Sequence, residues 1–182
     1  MDVVKLVNKA KKGNKKALVK LIMAERDAYY RLAFTYMKNE QDALDAISEM
    51  TVIMYEKIHQ LQNPEAFYRW SKTILVNECK ALLKNKQKVI YVEEYLAVNG
   101  EKLSNEERDY FANRDRYMDI DVMLAILNAE QKEAIQLKYF HDLDYKTIAQ
   151  IMNISVGTVK SRIHYGMKQL QERFGSEKDE KN

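Results

Sequence analysis

Cysteine, proline and glycine are scarce in this chain of 182 residues, which has one Cys, one Pro and five Gly. A lone thiol, Cys79, can neither staple a fold nor complete a zinc site, and it suits a reducing cytosol. Strands need turns, and turns favour Gly and Pro, so a chain with Pro64 alone is expected to be all helical. Nowhere do eighteen apolar residues follow one another, and no apolar run follows Met1-Asp2-Val3-Val4-Lys5. Neither a membrane span nor a secretory signal is expected. His59, His141 and His164 have no metal-ligand spacing to Cys79 or to each other, so no metal and no cofactor are expected. The chain also has no nucleophile motif, no carboxylate pair in a defined pocket and no phosphate-cradling Gly loop, which leaves no catalytic constellation and no small-molecule substrate to infer.

The net charge of +3 decides little, but its distribution is uneven. Lys5, Lys9, Lys11, Lys12, Lys15, Lys16 and Lys20 make the start basic, and Arg69, Lys72, Lys80, Lys84, Lys86 and Lys88 form a second basic block. Acids dominate from Tyr91 to Asp121. Such alternation suits segments that face different partners, and it equally suits a set of solvated helix faces. Helical periodicity is strong from Val3 to Lys38, with an interruption near Gly13-Asn14, and again from Glu40 to Gln60, where Leu44, Ile47, Met54 and Ile58 form an apolar stripe. Pro64 suits the first turn of a third helix, which carries Phe67, Trp70 and Ile74 on one face and runs to about Asn85. From Lys86 to about Tyr117 the periodicity fades, and Asn99-Gly100 signals a turn. A connection of that length argues for two domains. The expected map is a first domain at 1–87, a flexible acidic linker at 88–118 and a second domain at 119–182.

The second domain reads as a helix-turn-helix. Asn128 to Gln131 is a capping box opening a helix that continues through Phe140. His141 to Asp144 is a polar break, Tyr145 to Met152 a short helix, and Asn153-Ile154 a tight turn with Asn in the left-handed region. Ser155 N-caps a final helix running to about Phe174, and the charged tail from Ser176 to Asn182 is expected to fray. Val156, Val159, Ile163, Gly166 and Leu170 share the inner face of that helix, against Ile148, Ala149 and Met152. Lys160, Ser161, His164 and Lys168 share the outer face, beside Arg162 and Tyr165, which suits entry into a major groove. Ser155 and the N–H groups after it suit a phosphate. An ordinary helical hairpin has the same spacing.

The run Ile154-Ser-Val-Gly-Thr-Val-Lys-Ser-Arg-Ile163 resembles the promoter-reading helix-turn-helix of extracytoplasmic-function (ECF) sigma factors, called region 4, and Leu127 to Ile135 with Tyr139-Phe140 resembles its lead-in helices. Tyr30 to Asn39 followed by Asp42-Ala-Leu-Asp-Ala-Ile-Ser-Glu49 resembles the entrance of the family's region 2. Phe67-Tyr-Arg-Trp70, Ile74 and Asn77 resemble the signature of its −10-reading helix. Leu44, Ser48 and Tyr165 depart from the family's usual Glu, Gln and Arg.

The resemblance implies a cytoplasmic sigma factor that joins core RNA polymerase, reads the −35 element of promoter DNA with region 4, and reads and melts the −10 element with region 2. It also implies an anti-sigma factor, which the family often has, and through it an indirect link to the membrane. Upstream contacts are then expected from Ser155, Thr158, Lys160, Ser161, Arg162, His164, Tyr165 and Lys168. Downstream contacts are expected from the loop His59, Gln60, Leu61, Gln62 and Asn63 and from Arg69, Trp70, Lys72, Asn77, Lys80 and Lys84. The family's Asn at the position of Asn77 helps hold a flipped base, and an amide, with two donors and an acceptor, can read a base edge. The acidic stripe Asp42, Asp45, Glu49 and Glu56, with Val52 among them, is expected to dock on the clamp coiled coil of the polymerase. A regulator that never joins polymerase would need only the second domain, and a recombinase would need a nucleophile that the chain does not offer.

Overall fold

The computed structural model describes residues 1–97, 120 and 122–175, with side chains described for 1–86, 120 and 122–175. The chain divides into two compact units, Met1–Glu101 and Lys102–Asn182, and the described residues are helical with no strand.

The first unit is built from α1 (Val3–Lys11), α2 (Lys15–Ala24), α3 (Arg26–Met37), α4 (Glu40–Lys57) and α5 (Phe67–Ala97), with one-turn 3-10 helices at Ile58–Gln60 and Pro64–Ala66. Short polar side chains start the helices. Asp2, Asn14 and Asn39 accept from the N–H groups of Lys5, Ala17 and Asp42 at 2.9, 3.0 and 3.0 Å, each stabilising its helix by about 1 kcal/mol. Gly13 ends the first turn region at φ +87°, where an L side chain would be strained. The long periodic stretch expected from Val3 to Lys38 is therefore three helices. The second break, at Glu25, has no turn signal and no side-chain cap, so nothing in its residue types announces it.

The core of this unit joins Leu18 and Leu21 of α2, Tyr29, Leu32 and Ala33 of α3, Ala43, Ala46, Met50 and Met54 of α4, and Phe67, Ser71, Leu75, Val76 and Cys79 of α5. Two expected stripes are corrected. On α4 the buried arc runs through Ala43, Ala46, Met50 and Met54 to Ile58, whereas Leu44 lies 44% exposed. Alanines let helices approach closely, so a small side chain displaces the larger Leu44 from the contact. On α5 the arc follows Phe67, Ser71, Leu75 and Cys79, leaving Trp70 and Ile74 half-buried at its margin. Helix α5 also extends twelve residues beyond the expected end, to Ala97. Its last stretch has no Gly or Pro to stop it, and Lys, Gln, Glu, Leu and Ala, which favour helix, alternate with Val, Ile and Tyr, which are only mildly unfavourable. The rest of the expected linker, with Asn99-Gly100, and the tail lie outside the described residues.

The second unit contains α6 (Ala129–Ile135), a π-helical turn at Gln136–Phe140, α7 (Tyr145–Met152) and α8 (Val156–Phe174). Asn128 and Gln131 form the expected reciprocal capping box. The helix beginning there reaches Phe140 as expected, but its last turn is widened. The polar break is partly core, because His141 and Leu143 are buried. Asp144 caps α7 at 2.9 Å, Asn153 ends it in the left-handed region at φ 53°, and Ser155 caps α8 at 3.0 Å. Val159 and Ile163 of α8, with Gly166, pack inward with Ile135, Ile148 and Ala149.

Candidate nucleic-acid and polymerase interfaces

The turn between α7 and α8 presents the N-terminal half of α8 outward. Lys160, Ser161, His164, Tyr165 and Lys168 are all exposed, Tyr165 to 59%. Their spacing of three and four residues places them on one side of the helix, opposite Val159, Ile163 and Gly166. Four of the expected readers are already engaged. Arg162 is turned toward α6 and pairs with Glu130 at 2.7 Å. Thr158 gives its N–H to the Ser155 hydroxyl, and the two hydroxyls lie 2.8 Å apart, so both residues serve the cap. The Ser161 hydroxyl donates to the Gly157 carbonyl at 3.0 Å, which leaves its lone pairs as acceptors. The Lys160 ammonium sits 5.6 Å from the centroid of the Tyr145 ring, and Lys138 shares that ring at 5.1 Å. Tyr145 is thus a seat that fixes the direction of Lys160, by a contact of about 0.5–1 kcal/mol at an exposed site.

In the first unit the segment after α4 alternates inward and outward. Ile58 and Leu61 are buried, while His59, Gln60, Gln62 and Asn63 are exposed. Leu61 therefore anchors the loop and does not line its outer wall, correcting its expected role. Its N–H returns to the Ile58 carbonyl at 3.2 Å, and Asn63 accepts from the N–H of Glu65 at 2.9 Å. On α5, Arg69, Thr73, Asn77 and Lys84 fall on one outer side by helical spacing, with Trp70 along its edge. Asn77 is exposed, so its amide is free of the core. Trp70 tilts against Phe67 with ring centroids 6.0 Å apart, half in the core and half available for stacking. Lys80 lies over the Tyr36 ring at 5.9 Å, and Lys72 leaves the outer side to pair with Glu25 at 3.5 Å. Val76, which falls between Lys72 and Lys80 along α5, is fully buried.

The acidic stripe of α4 is continuous and outward over Asp45, Glu49, Val52 and Glu56, with Val52 53% exposed and Leu44 and Tyr55 beside it. Asp42 is drawn instead into an ion pair with Lys86 of α5. An acidic strip with an apolar centre fits a basic, partly apolar partner.

Three contributors were not legible. Tyr145 and Glu130 act through space on α8, and Lys11 donates to the Leu61 carbonyl across fifty residues at 2.8 Å. No local pattern announces such pairs. The buried titratable groups belong to the framework. Burial pushes the Cys79 thiol up to about 12, and burial raises the Tyr29 phenol despite its 2.7 Å hydrogen bond with Ser71. Among the described residues no three His, Cys, Asp or Glu side chains converge as a metal site, and no helix is long and apolar enough to cross a membrane.

These surfaces define a class: a helical protein of two units, one a helix-turn-helix with a polar recognition helix facing out, the other carrying an exposed amide and cations on one helix and an acidic strip on another. Comparison with known proteins narrows the class. The sigma-70 region 2 family profile matches residues 21–89, and that of sigma-70 region 4 matches residues 117–170. The RNA polymerase sigma factor SigV of Bacillus subtilis is 30% identical over 163 residues, covering 90% of this chain and 94% of its own. The ECF RNA polymerase sigma factor SigW of the same organism is 25% identical over 182 residues, covering 96% and 97%. The fold recurs in the sigma factor RpoE of Bartonella quintana, crystallised with the anti-sigma factor NepR. Its TM-score is 0.64 at 23% identity, over 86% of this chain and 96% of that one. The chain belongs to the ECF sigma factors of the sigma-70 family. Its function is that of the family, promoter-specific initiation of transcription with RNA polymerase.

Proposed function

We propose the following division of labour within that function. The outer side of α8, through Lys160, Ser161, His164, Tyr165 and Lys168, reads the −35 element in the major groove. The loop His59–Asn63 and the outer side of α5, through Arg69, Trp70, Asn77 and Lys84, read and melt the −10 element. Lys72, Lys80 and Arg162 reach phosphates only after leaving their present partners, and Ser155 and Thr158 support the helix end. The acidic strip of α4 holds core polymerase, with Val52 as its apolar centre. The working boundaries are 1–87, 88–118 and 119–182, with α5 running past the first of them to Ala97. The chain performs no catalysis of its own, because polymerase supplies the chemistry, and it acts in the cytoplasm. An anti-sigma factor restrains it by covering these same faces; RpoE, which shares the fold, was crystallised in complex with the anti-sigma factor NepR.

The observation that carries the −10 assignment is the exposure of Asn77 two turns along from a half-buried Trp70, on a cation-bearing side of α5. Extruding a base costs a few kcal/mol of unstacking. A flat ring to stack on and an amide to pair with the base edge offset that loss together. The test is Asn77→Ala in holoenzyme, with promoter melting read by permanganate reactivity of unpaired thymines and closed-complex binding read by gel shift. The expected result is retained binding with melting weakened by about 1–3 kcal/mol, the size of a lost polar contact. Melting equal to the parent's refutes the assignment of Asn77.

A further inference from the structure

The loop His59–Asn63 is held as well as displayed. Its two inward side chains, Ile58 and Leu61, leave the four polar ones outside. A backbone hydrogen bond from Leu61 to Ile58 closes one end, and Asn63 caps the other. A third restraint comes from far away in sequence. Helix α1 packs against both 3-10 turns that bound the loop. Val7 and Ala10 supply its buried side, and Lys11, four residues after Val7, extends from the same side. The Lys11 ammonium donates to the Leu61 carbonyl at 2.8 Å in a part-buried contact. That carbonyl is the midpoint of the displayed segment. A charge-assisted bond there restrains the peptide plane between Leu61 and Gln62, at the centre of the exposed side chains His59, Gln60, Gln62 and Asn63. Without it the loop keeps its two apolar anchors but loses the fixed orientation of the backbone between them.

We infer that Lys11 is a positioning residue for base selection in the −10 element, acting through the Leu61 carbonyl to hold the loop His59–Asn63 in one conformation. This rests on the proposal that the loop reads that element. Lys11 touches no base in this scheme. It limits the orientations in which Gln60 and Gln62 can meet one, and discrimination needs donors and acceptors fixed in direction. Lys5 and Lys9 of α1 and Lys12 at its C-cap are exposed, the described hydrogen bond to the loop carbonyl comes from Lys11, and the other three lysines serve as internal controls.

The experiment uses holoenzyme assembled from the full chain and core polymerase, transcribing a promoter pool with the −10 element randomised and the −35 element either fixed or varied in parallel. The readout is the preference ratio between the best and worst base at each position. Lys11→Met keeps the apolar stem and removes the donor. It is expected to lower the −10 preference about tenfold, the equivalent of ~1.4 kcal/mol, while the −35 preference stays at the parent value. Lys11→Arg, which keeps a charged donor, restores the −10 preference, and Lys9→Met leaves both preferences unchanged. A −10 preference unchanged in Lys11→Met overturns the inference. So does an even loss of transcription over all −10 sequences, which marks Lys11 as a general support of the fold. Exchange of His59–Asn63 for another polar loop separates the two levels. If that exchange shifts −10 preference and Lys11→Met does not, only the role of Lys11 fails. If the exchange itself shifts nothing, the loop is not the reader and both fall. Should Lys11→Met not fold, Lys11→Gln, too short to span the same distance, carries the same comparison.

Discussion

Gly166 sits where α8 crosses α6, and its replacement by Ala sets two known effects against each other. A helical glycine is about 0.8–1.0 kcal/mol less favourable than Ala, so Gly166→Ala should stabilise α8 on propensity alone. The added Cβ would lie 2.7 Å from Cδ1 of Ile135 and 3.3 Å from Cβ of Gln131. Ile135 is buried, so its terminal methyl has little room to turn away, and Gln131 is tied to Asn128 by the capping box. Overpacking of this kind costs about 1–3 kcal/mol. The second effect wins, and the net loss is expected at about 1 kcal/mol. For a unit of this size that lowers the melting temperature by roughly 4–8 °C. The assay is thermal unfolding of the full chain, following the transition of the C-terminal unit. Ile135→Val removes the offending methyl, so the double variant Gly166→Ala/Ile135→Val should be more stable than the two single losses predict when added. Additive losses, or a raised melting temperature in Gly166→Ala, would show that Ile135 yields freely and that close approach does not set the position of α8.

Ser71→Ala strands the buried Tyr29 hydroxyl and should destabilise the N-terminal unit by about 1–3 kcal/mol, whereas Tyr29→Phe leaves Ser71 its bond to the Tyr68 carbonyl and should cost about 0.5–1.5 kcal/mol. Equal losses in urea unfolding would contradict this order. Reversing the charges of Asp45 and Glu49 should weaken capture by core polymerase in a pull-down while helicity by circular dichroism stays constant, and an unaffected pull-down would make the strip a solvated face. Glu130→Gln should release Arg162 to meet one more phosphate and steepen the salt dependence of DNA binding by about 0.9 in log–log slope. An unchanged slope would mean that the ion pair is not what restrains Arg162.

The helix-turn-helix was legible almost residue by residue because its signals are local. A capping Asp144, a left-handed Asn153 and a capping Ser155 each act within four residues, and the ends of α7 and α8 follow from them. The break at Glu25 was not legible, since it depends on how α2 and α3 pack and not on turn chemistry. Periodicity located α4 and α5 and placed Met54, Ile58 and Phe67 inward as observed, but misassigned the margins of both stripes at Leu44, Trp70 and Ile74. An apolar count favours Leu44 and Trp70 over Ala43, Ala46 and Ser71, whereas close packing favours the small residues. Within the candidate site, residue types identified the outer sides of α8 and α4. The burial of Leu61 and Val76 and the partners of Lys72, Lys80, Lys160 and Arg162 depend on elements distant in sequence.

Those partners change the meaning of the charge pattern. Several of the cations that make the chain resemble a nucleic-acid binder are compensated within the fold. Lys72 faces Glu25, Lys86 faces Asp42, Arg162 faces Glu130 and Lys168 lies near Glu172. A cation already neutralised releases few counterions when it meets a phosphate, so it adds little to the sequence-independent attraction that dominates non-specific binding. Lys160, seated over the Tyr145 ring, keeps its charge but gains a direction, and a side chain held in place loses less rotamer freedom on binding. The two effects act in the same sense. Attraction to arbitrary DNA falls while Lys160, proposed to meet a base edge, is oriented in advance. A genome offers about 10⁶–10⁹ competing sites, so the ratio of specific to non-specific affinity governs promoter choice more than affinity itself. The modest net charge of +3 is then consistent with selective DNA binding, because discrimination rests on a few oriented side chains and not on the total charge.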